Sequence, residues 1–485
     1  MQIRTRIAPS PTGFVHIGTI HTALFNYFFT RQNGGKFIIR IEDTDRERLV
    51  EGAVENLLET LAMLGIDHDE GPFIDANGVI VEKGEHGPYI QSQRLGIYKK
   101  YIDRLVDEGH AYYCFCTKDR LTEMREGQKA VKQTPKYDRE CCKLTADEVK
   151  ERLESGVDYV VRMKVPEGET IVTDEIRGSV KFNNVDIDDQ IILKSDGFPT
   201  YHLAVVVDDY LMGITHIIRG EEWLSSAPKH VILYNMLGFE LPKFAHVPLL
   251  LNPDKTKLSK RQGDVAVGDY IKRGYLVDAL INFIGTLGFN PKSDQEIYDR
   301  TELTKLFDLK KINKAGAVMN MDKLDWMNRE YLKRLSIDEL AEVARGFVQA
   351  DVDDERVQRA LLVERDRVHR LDEFQEKIDL YLVEPAYDPA TLVWKKSDSA
   401  DAKAQLAGVR DFIAELDDDD FGSIESIEAA VIAYIDEHEL QKGNVLWPLR
   451  VALSGQAKSA SPFELLWALG KEESLERIDK AVEAL

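Results

Sequence analysis

Cysteine is scarce in this chain, and long apolar runs are missing. Four cysteines among 485 residues argue against a disulfide scaffold. The longest apolar stretches, residues 231–239 and 279–289, are much shorter than the ~20 residues that span a bilayer. The first residues lack the apolar run of a secretion signal. We therefore expect a cytoplasmic protein that does not interact with membranes.

An excess of positive charge is missing as well. The formal net charge is −22, which counts against a protein whose only task is to bind nucleic acid. A large acidic protein can still carry a locally basic face, so the net charge does not exclude a polyanionic ligand. The hydrophobic content of 44% and the charged content of 31% are ordinary for a globular protein. The length predicts about three to four domains.

The first 64 residues alternate between strand and helix patterns. Residues 3–8 and 37–41 are predicted strands, and residues 18–31 and 47–64 carry apolar residues at helical spacing. Such alternation is typical of a parallel sheet covered by helices. The sequence therefore predicts a doubly wound, Rossmann-like α/β domain at the start of the chain.

The alternation is lost after Asp67 and returns near residue 184, with predicted strands at 191–194 and 216–219. We interpret this as an insertion that splits the α/β domain. After Trp326 the strand pattern vanishes, and helices are predicted at 337–348, 354–370, 402–416, 426–439 and 462–485. The resulting domain prediction is 1–90 and 191–241 for the split catalytic domain, 91–190 for the insertion, 242–330 for a loop-containing region, and 331–485 for an all-α module.

Two remote segments have the chemistry of a phosphate site. His16 and Gly18 stand where a loop turns into a helix, and a helix N-terminus binds anions through its N–H groups. Lys257, Lys260 and Arg261 surround a serine in a polar loop. Alone, the first segment could be a turn with a helix-capping histidine, and the second a solvated surface cluster. Together they predict a grip on a nucleoside triphosphate, with the loop neutralising departing pyrophosphate.

These segments resemble the HIGH and KMSKS motifs of class I aminoacyl-tRNA synthetases, with Thr19 and Leu258 as variant positions. The chain is similar from end to end to the bacterial-type glutamyl-tRNA synthetases. The similarity is carried by residues 6–19, 40–45, 87–89, 194–201, 207–209, 218–222 and 448–455. This resemblance implies ATP-dependent ligation of L-glutamate to the 3′ end of tRNA(Glu) through a glutamyl-adenylate, with Mg²⁺ and a monomeric enzyme. The alternative is an enzyme that also charges tRNA(Gln) with glutamate.

The resemblance also implies roles for individual residues. His16, Gly18, Lys257 and Lys260 would serve catalysis. Residues implied to bind substrates are Arg6, Arg219 and Tyr201 for the glutamate carboxylates, Ser10 and Glu42 for its amino group, and Glu222 for the nucleotide. The insertion would bind the tRNA acceptor stem, residues 242–330 would contact the tRNA stem, and residues 331–485 would read the anticodon through Arg365 and Arg367. Singly, each of these residues could equally be an ordinary surface charge or core aromatic.

All four cysteines lie between positions 114 and 142. A Cys-x-Cys pair, Cys114 and Cys116, is followed after a long gap by Cys141 and Cys142, which is consistent with thiolates around a structural Zn²⁺. Members of the resembling family that bind zinc here have His or Tyr where this chain has Lys143. The alternative is a metal-free set of reduced thiols.

Two further hypotheses belong to other classes of protein. A small-molecule nucleotidyltransferase could use the same nucleotide fold, but it has no need of a long helical module. A non-catalytic tRNA-binding protein could keep the domains, but it has no need of both phosphate motifs.

Overall fold

The computed structural model describes residues 2–258, 266–291, 294–395, 397–417 and 419–485. By its internal contacts the chain divides into two compact units. Unit 1 comprises Met1–Asp269 and Ile281–Asn320, and unit 2 comprises Tyr270–Leu280 and Met321–Leu485.

The strands formed by the described residues all lie in unit 1. They are β1 (Arg4–Ile7), β2 (Lys36–Ile39), β3 (Gly71–Ile74), β4 (Ile80–Lys83), β5 (Ala111–Cys114), β6 (Val160–Met163), β7 (Glu169–Asp174), β8 (Gly178–Asn183), β9 (Ile191–Leu193), β10 (His216–Gly220), β11 (Lys243–Val247), β12 (Leu250–Leu251) and β13 (Ala317–Val318).

The α-helices occur in both units and account for most of the described residues of unit 2. Those formed by the described residues are α1 (Ile17–Gln32), α2 (Ala53–Met63), α3 (Leu95–Asp107), α4 (Lys118–Ala130), α5 (Ala146–Glu154), α6 (Tyr201–Leu211), α7 (Ala227–Met236), α8 (Val267–Lys272), α9 (Val277–Thr286), α10 (Arg300–Leu306), α11 (Met321–Leu332), α12 (Ile337–Ala344), α13 (Glu355–Glu364), α14 (Phe374–Leu382), α15 (Ser399–Glu415), α16 (Ile424–Glu437), α17 (Lys442–Ser454), α18 (Pro462–Leu469) and α19 (Lys471–Ala484).

Parallel strand pairs form the centre of unit 1, as the sequence predicts. β1 pairs with β2, and β10 pairs with β11, both in parallel. A hydrogen bond of 2.9 Å from Thr215 N–H to the carbonyl of Arg4 connects β10 with β1. The strands are buried because helices cover them, which explains the short apolar runs that mark them in the sequence.

Strands β5 and β6 of the predicted insertion form an antiparallel sheet with β9, in the order β5–β6–β9. Strand β9 confirms the strand predicted at 191–194, but its partner is β6 of the insertion rather than a strand of the parallel sheet. A short apolar run predicts a buried strand without indicating which sheet buries it.

Three predicted helices have different limits in the structure. The helix predicted over 354–370 ends at Glu364, and turns follow it. The helix predicted over 47–64 is a short 3₁₀ turn at Arg46–Arg48 followed by α2, because Gly52 adopts a left-handed conformation with φ 76° just before α2. The helix predicted over 462–485 divides into α18 and α19 at Gly470, where φ is 78°. The breaks at Gly52 and Gly470 use the positive φ that glycine adopts at low cost.

In unit 2 the described residues of 321–485 are helical, with turns between the helices, and the helices enclose one apolar core. The helices are amphipathic and pack their apolar stripes together, as the sequence periodicity indicates. Among the described residues of the whole chain, no helix combines the length and apolar character needed to cross a membrane.

Candidate functional site

A cleft of about 1030 Å³ opens in unit 1 at the carboxyl ends of β1, β2 and β10. Ligands of open parallel sheets bind at this edge because the loops after neighbouring strands converge there. Most of the predicted site residues line the cleft: Arg6, Ser10, His16, Gly18, Glu42, Tyr201, Arg219, Glu222 and Lys257. Lys260 and Arg261 lie outside the described residues.

His16 is the N-cap of α1, and its Nδ1 accepts a hydrogen bond of 3.2 Å from Thr19 N–H. Nδ1 is therefore unprotonated in the neutral ring, and Nε2 carries the hydrogen. A Cβ on Gly18 would lie 3.1 Å from two atoms of the His16 ring. The absence of a side chain at Gly18 therefore leaves room for that ring. The helix-capping role considered from the sequence is thus real, and it orients a donor at the start of the helix.

One flank of the Lys257–Arg261 loop contacts the first motif, and the other lines the same cleft. Lys257 is exposed and lines the cleft together with Leu258. Ala266 forms a β-bridge with His16, and Val267 N–H donates to the carbonyl of Val15 at 3.4 Å. The described residues on the two sides of the loop therefore share a cleft with the motif with which the sequence pairs it.

A buried network of charges forms one wall of the cleft. Arg6 donates from Nε and Nη2 to the two carboxylate oxygens of Asp209, at 3.0 and 3.2 Å. Arg40 donates to Asp209 at 2.7 Å and to Glu42 at 3.1 Å. Arg6 is thus held as a fork by Asp209, and this pairing fixes its orientation.

Burial and charge act in opposite directions on the acids of this wall. Burial raises the pKa of Glu42 to about 7, although Arg40 and Arg6 partly offset the effect. Burial would also raise the pKa of Asp209, but Arg6 and Arg40 outweigh it and keep the pKa below its ordinary value. Glu42 therefore changes its charge near neutral pH, whereas Asp209 stays ionised.

Asp208 is a further buried acid of this network. Its carboxylate accepts hydrogen bonds from Arg94 Nε at 2.8 Å, from Gln91 Nε2 at 2.9 Å and from the Tyr98 hydroxyl at 2.8 Å. The sequence analysis did not assign a role to Arg40, Asp208 or Asp209 beyond their place in matching stretches. A pair of adjacent acids inside an otherwise apolar helix, α6, is the signal that points to such a network.

Tyr201 and Arg219 meet in the cleft. Tyr201 is the first residue of α6, and its hydroxyl accepts a hydrogen bond of 3.1 Å from Arg219 Nη1. The ring of Trp223, which the sequence analysis did not single out, packs on Tyr201 with centroids 4.5 Å apart. Burial raises the pKa of Tyr201, so its hydroxyl stays protonated at neutral pH.

Ser10 and Glu222 occupy the more open parts of the cleft, and both are exposed. The Glu222 carboxylate lies against the backbone of Gly220, where any side chain would overlap it. Pro9, next to Ser10, accepts a hydrogen bond of 3.0 Å from Glu42 N–H, which brings these two predicted amine ligands into one loop cluster.

Three of the four cysteines form a cluster in the insertion. The sulfurs of Cys114, Cys116 and Cys141 lie within 4.8 Å of one another, and the Tyr137 hydroxyl is 3.3 Å from Cys116 Sγ. The sulfur of Cys142 does not belong to this group. Hydrogen bonds from the Cys141 and Tyr137 groups lower the pKa of Cys114 to about 4, against the effect of burial. The cluster therefore holds a thiolate at neutral pH.

The arginines predicted to read the anticodon lie in unit 2, just after α13. Arg365 is partly buried and donates to the carbonyl of Leu335 at 3.2 Å. Arg367 donates to both carboxylate oxygens of Glu464, at 2.8 and 2.7 Å. Neither arginine lies in the cleft of unit 1.

Comparison with known proteins gives matches along nearly the whole chain. The family described as "tRNA synthetases class I (E and Q), catalytic domain" matches residues 2–326, and the family described as "Anticodon binding domain" matches residues 337–482. Glutamate–tRNA ligase of Clostridioides difficile strain 630 is 43% identical and aligns over 99% of this chain and 98% of its own length. The corresponding ligase of Chloroherpeton thalassium is 44% identical over 100% of this chain and 98% of its own length.

The chain is also similar to solved structures of glutamate–tRNA ligases. The crystal structure of a glutamate tRNA ligase from Elizabethkingia meningosepticum in complex with its amino acid has a TM-score of 0.89 and 34% identity, covering 100% of this chain and 99% of that one. The cleft motifs, the helical second unit and these full-length matches lead to one conclusion. The chain belongs to the class I tRNA synthetases of the glutamate and glutamine type, among the glutamate–tRNA ligases.

Proposed function

We propose that this protein joins L-glutamate to the 3′ end of tRNA(Glu) at the expense of ATP, with AMP and pyrophosphate as products. The observation that carries this conclusion is the convergence of Arg6, Arg219, Glu42 and His16 on one cleft. Two guanidinium groups suit the carboxylates of glutamate, and an acid suits its ammonium group. The relatives are named for glutamate, and an enzyme that also charges tRNA(Gln) is not favoured.

The first step needs positioning and charge stabilisation more than acid–base chemistry. An oxygen of the glutamate α-carboxylate forms a bond to the α-phosphorus of ATP, and the bond from that phosphorus to the bridging oxygen breaks to release pyrophosphate. His16 Nε2–H and the N-terminus of α1 would stabilise the charge on the α-phosphoryl oxygens. Lys257 and Lys260 would neutralise the departing pyrophosphate. Class I synthetases use ATP together with Mg²⁺, which we treat as part of the substrate.

The second step transfers the activated glutamate to tRNA. A hydroxyl of the terminal ribose attacks the carbonyl carbon of the mixed anhydride, and AMP leaves with the bonding electrons of the broken C–O bond. The hydroxyl proton passes to the phosphate of the departing AMP. We propose that the insertion holds the acceptor stem and that Arg365 and Arg367 face the anticodon. Because Arg367 is paired with Glu464 in this structure, its contact with RNA would require exchange of that partner.

Glutamate-dependent ATP–pyrophosphate exchange, measured with and without tRNA, tests this function. We expect exchange with glutamate when tRNA is present, and weaker or no exchange without it. Charging assays with tRNA(Glu) and tRNA(Gln) should show a strong preference for the former. Absence of glutamate-dependent exchange in the presence of tRNA would overturn the proposal.

We also propose that the cysteine cluster holds a structural Zn²⁺. Three sulfur donors within 4.8 Å of one another, one of them a thiolate, fit the donor set that Zn²⁺ prefers. Cys114, Cys116 and Cys141 would hold the ion, with the Tyr137 hydroxyl as the nearby fourth polar group. Bound zinc would join the end of β5 to the turn at Glu140–Lys143, and it would take no part in the reaction.

Elemental analysis of protein purified without chelators tests this metal site. We expect about one zinc per chain, its loss in Cys116→Ser, and its retention in the matched variant Cys142→Ser, because the Cys142 sulfur lies outside the cluster. Less than half an equivalent of zinc in the unaltered protein would remove the metal from the proposal. Equal loss in both variants would show that all four cysteines contribute.

We further propose that the enzyme works as a monomer and, because its substrate is tRNA, in the cytoplasm. Sedimentation analysis at micromolar concentration should give a mass near 55.2 kDa. A mass of twice that value would show a dimer.

A further inference from the structure

Arg219 is a buried cation whose partners are all neutral. Its side chain is 5% exposed. Nε–H donates to His246 Nε2 at 3.1 Å, and Nη1 donates to the Tyr201 hydroxyl at 3.1 Å and to His230 Nδ1 at 3.2 Å. Among the described residues Arg219 forms no ion pair, whereas Arg6 in the same cleft is paired with Asp209.

The protons of the surrounding histidines are fixed by Arg219, because a guanidinium group only donates. His246 Nε2 must accept, so its hydrogen is on Nδ1, 2.6 Å from Asp174 Oδ2. His230 Nδ1 must accept, so its hydrogen is on Nε2, 2.9 Å from Nδ1 of His202. Burial lowers the pKa of each of these histidines, and that of His202 falls to about 3. All three rings are therefore neutral at physiological pH.

This arrangement orients the guanidinium group without cancelling its charge. The remaining nitrogen of Arg219, Nη2, is buried and has no hydrogen-bond partner among the described residues. A buried charge without a counter-ion is unfavourable until an anion reaches it. A carboxylate in the cleft can accept from Nη2 and supply the missing charge. A carboxamide can supply no charge, and it leaves the guanidinium uncompensated.

We propose that Asp174 and His246, together with the His202–His230 pair, are positioning residues for amino-acid selection: they aim Arg219 and keep its charge available for the side-chain carboxylate of glutamate. This inference rests on the proposed function, in which Arg219 binds glutamate. None of the four residues needs to touch the substrate, and the sequence analysis assigned a role to none of them.

Asp174 has the geometry of a group that selects one histidine tautomer. Its Oδ1 accepts from the N–H groups of Ile176 and Arg177, at 2.9 and 2.8 Å, and its Oδ2 accepts from His246 N–H at 3.0 Å as well as from Nδ1. In Asp174→Asn, the amide NH2 group would face two backbone N–H groups at the position of Oδ1 but only one at the position of Oδ2. We therefore expect it to take the position of Oδ2, facing His246. The ring would then have to accept at Nδ1 and carry its hydrogen on Nε2, directly against Arg219 Nε–H.

Steady-state charging kinetics of the full-length enzyme with tRNA test the proposal. We expect Asp174→Asn and His246→Leu to raise KM for glutamate by about tenfold or more, while KM for ATP changes less than about twofold, because the fault lies in the amino-acid pocket. His246→Gln should recover most of the affinity, since its Oε1 can take the place of Nε2 and accept from Arg219. His246→Asn should not, since its oxygen can reach only the position of Nδ1.

His216→Leu provides the matched control. His216 is a buried histidine on β10, the strand that carries Arg219, but its ring bonds to Thr215. We expect both KM values to be unchanged in this variant. The ratio of kcat/KM for glutamate to that for glutamine should fall in Asp174→Asn and stay constant in His216→Leu.

Three results would overturn the proposal: an unchanged KM for glutamate in both Asp174→Asn and His246→Leu, a parallel rise in KM for ATP, or equal values for His246→Gln and His246→Asn. The comparison of His246→Gln with His246→Asn keeps the test valid if His246→Leu does not fold. A failure of the proposed function is distinguishable, because the unaltered enzyme would then show no glutamate-dependent charging at all.

Discussion

Glu42 is an acid of the cleft whose charge depends on pH near neutrality. Its pKa is raised to about 7 by burial, and it binds an ammonium group only when it is ionised. We expect KM for glutamate to rise as pH falls below 7, by up to tenfold per pH unit, because a proton must leave Glu42 before binding. Above pH 7 the value should level off. Charging kinetics between pH 6 and 8 measure this dependence.

Glu42→Gln serves as the control for that profile. The variant should bind glutamate weakly at every pH and show a flat KM over the same range. A flat profile in the unaltered enzyme would contradict the assignment of Glu42 to the ammonium group.

Lys260 belongs to the loop that the sequence places on the pyrophosphate. Lys260→Ala should lower kcat for glutamate activation by ~10²-fold or more with little change in KM for glutamate, because the lost charge acts in the transition state. Exchange kinetics with tRNA present provide the measurement. The matched variant Lys83→Ala removes an exposed lysine that lies outside both the cleft and the insertion, and it should have no effect. An unaltered rate in Lys260→Ala would show that the loop has another role.

Cleft residues that stand in sequence motifs are easier to predict than the residues that orient them. His16, Arg219 and Tyr201 stand in recognisable motifs, and the structure places them in one cleft. Asp174 and His246 come together from β7 and the neighbouring strand β11, 72 positions apart, with no spacing that marks them. Arg40 looks in sequence like a charge at a strand end, yet it is fully buried among three acids. Such contacts depend on packing, which periodicity does not describe.

At the scale of elements, Arg477 ties the ends of two helices to a third. From α19 it donates to the carbonyls of Leu380 and Leu453, both at 2.7 Å, in the last turns of α14 and α17. It also reaches the carbonyls of Tyr381 and Val383. Cations are favourable at helix C-termini, where carbonyl groups lack partners. The arginine therefore replaces several missing hydrogen bonds with one buried side chain.

Replacing Arg477 should destabilise unit 2 strongly. We expect Arg477→Met to lower the free energy of unfolding by about 3 kcal/mol or more, because buried carbonyls lose their donors. Arg410→Met removes a partly exposed ion pair between Arg410 of α15 and Asp479 of α19, the helix that carries Arg477. This variant should cost less than about 1 kcal/mol. Urea unfolding followed by circular dichroism compares the two variants. Equal effects would show that the Arg477 contacts contribute little.

Element types followed from the sequence more securely than element limits and partners. The apolar spacing of residues 18–31 gives α1 almost as observed, because that helix lies between a loop and the Asn33–Gly35 turn. The helices predicted over 47–64 and 462–485 were wrong at the glycines 52 and 470. A glycine in a helical pattern is compatible with both continuation and a break, and the tertiary fold decides which occurs.

At the scale of the whole molecule, a net charge of −22 must be reconciled with a polyanionic substrate. Local cations have to outweigh an unfavourable overall field, and salt weakens such contacts. We expect KM for tRNA to rise steeply with KCl between 50 and 200 mM, on the order of tenfold or more. KM for glutamate should change much less, because its proposed partners Arg6 and Arg219 are buried. Similar salt dependence for both substrates would contradict a buried amino-acid pocket.

The placement of Trp223 gives the enzyme an optical reporter of its own. The chain has five tryptophans, and Trp223 is the one whose sequence position falls in unit 1. Its indole is 38% exposed, lines the cleft and contacts the Tyr201 ring. An amino acid that settles beside Tyr201 changes the polarity around this indole, so substrate occupancy can be followed by intrinsic emission without any attached dye. In a chain whose other four tryptophans are phenylalanine, that signal would come from the cleft alone.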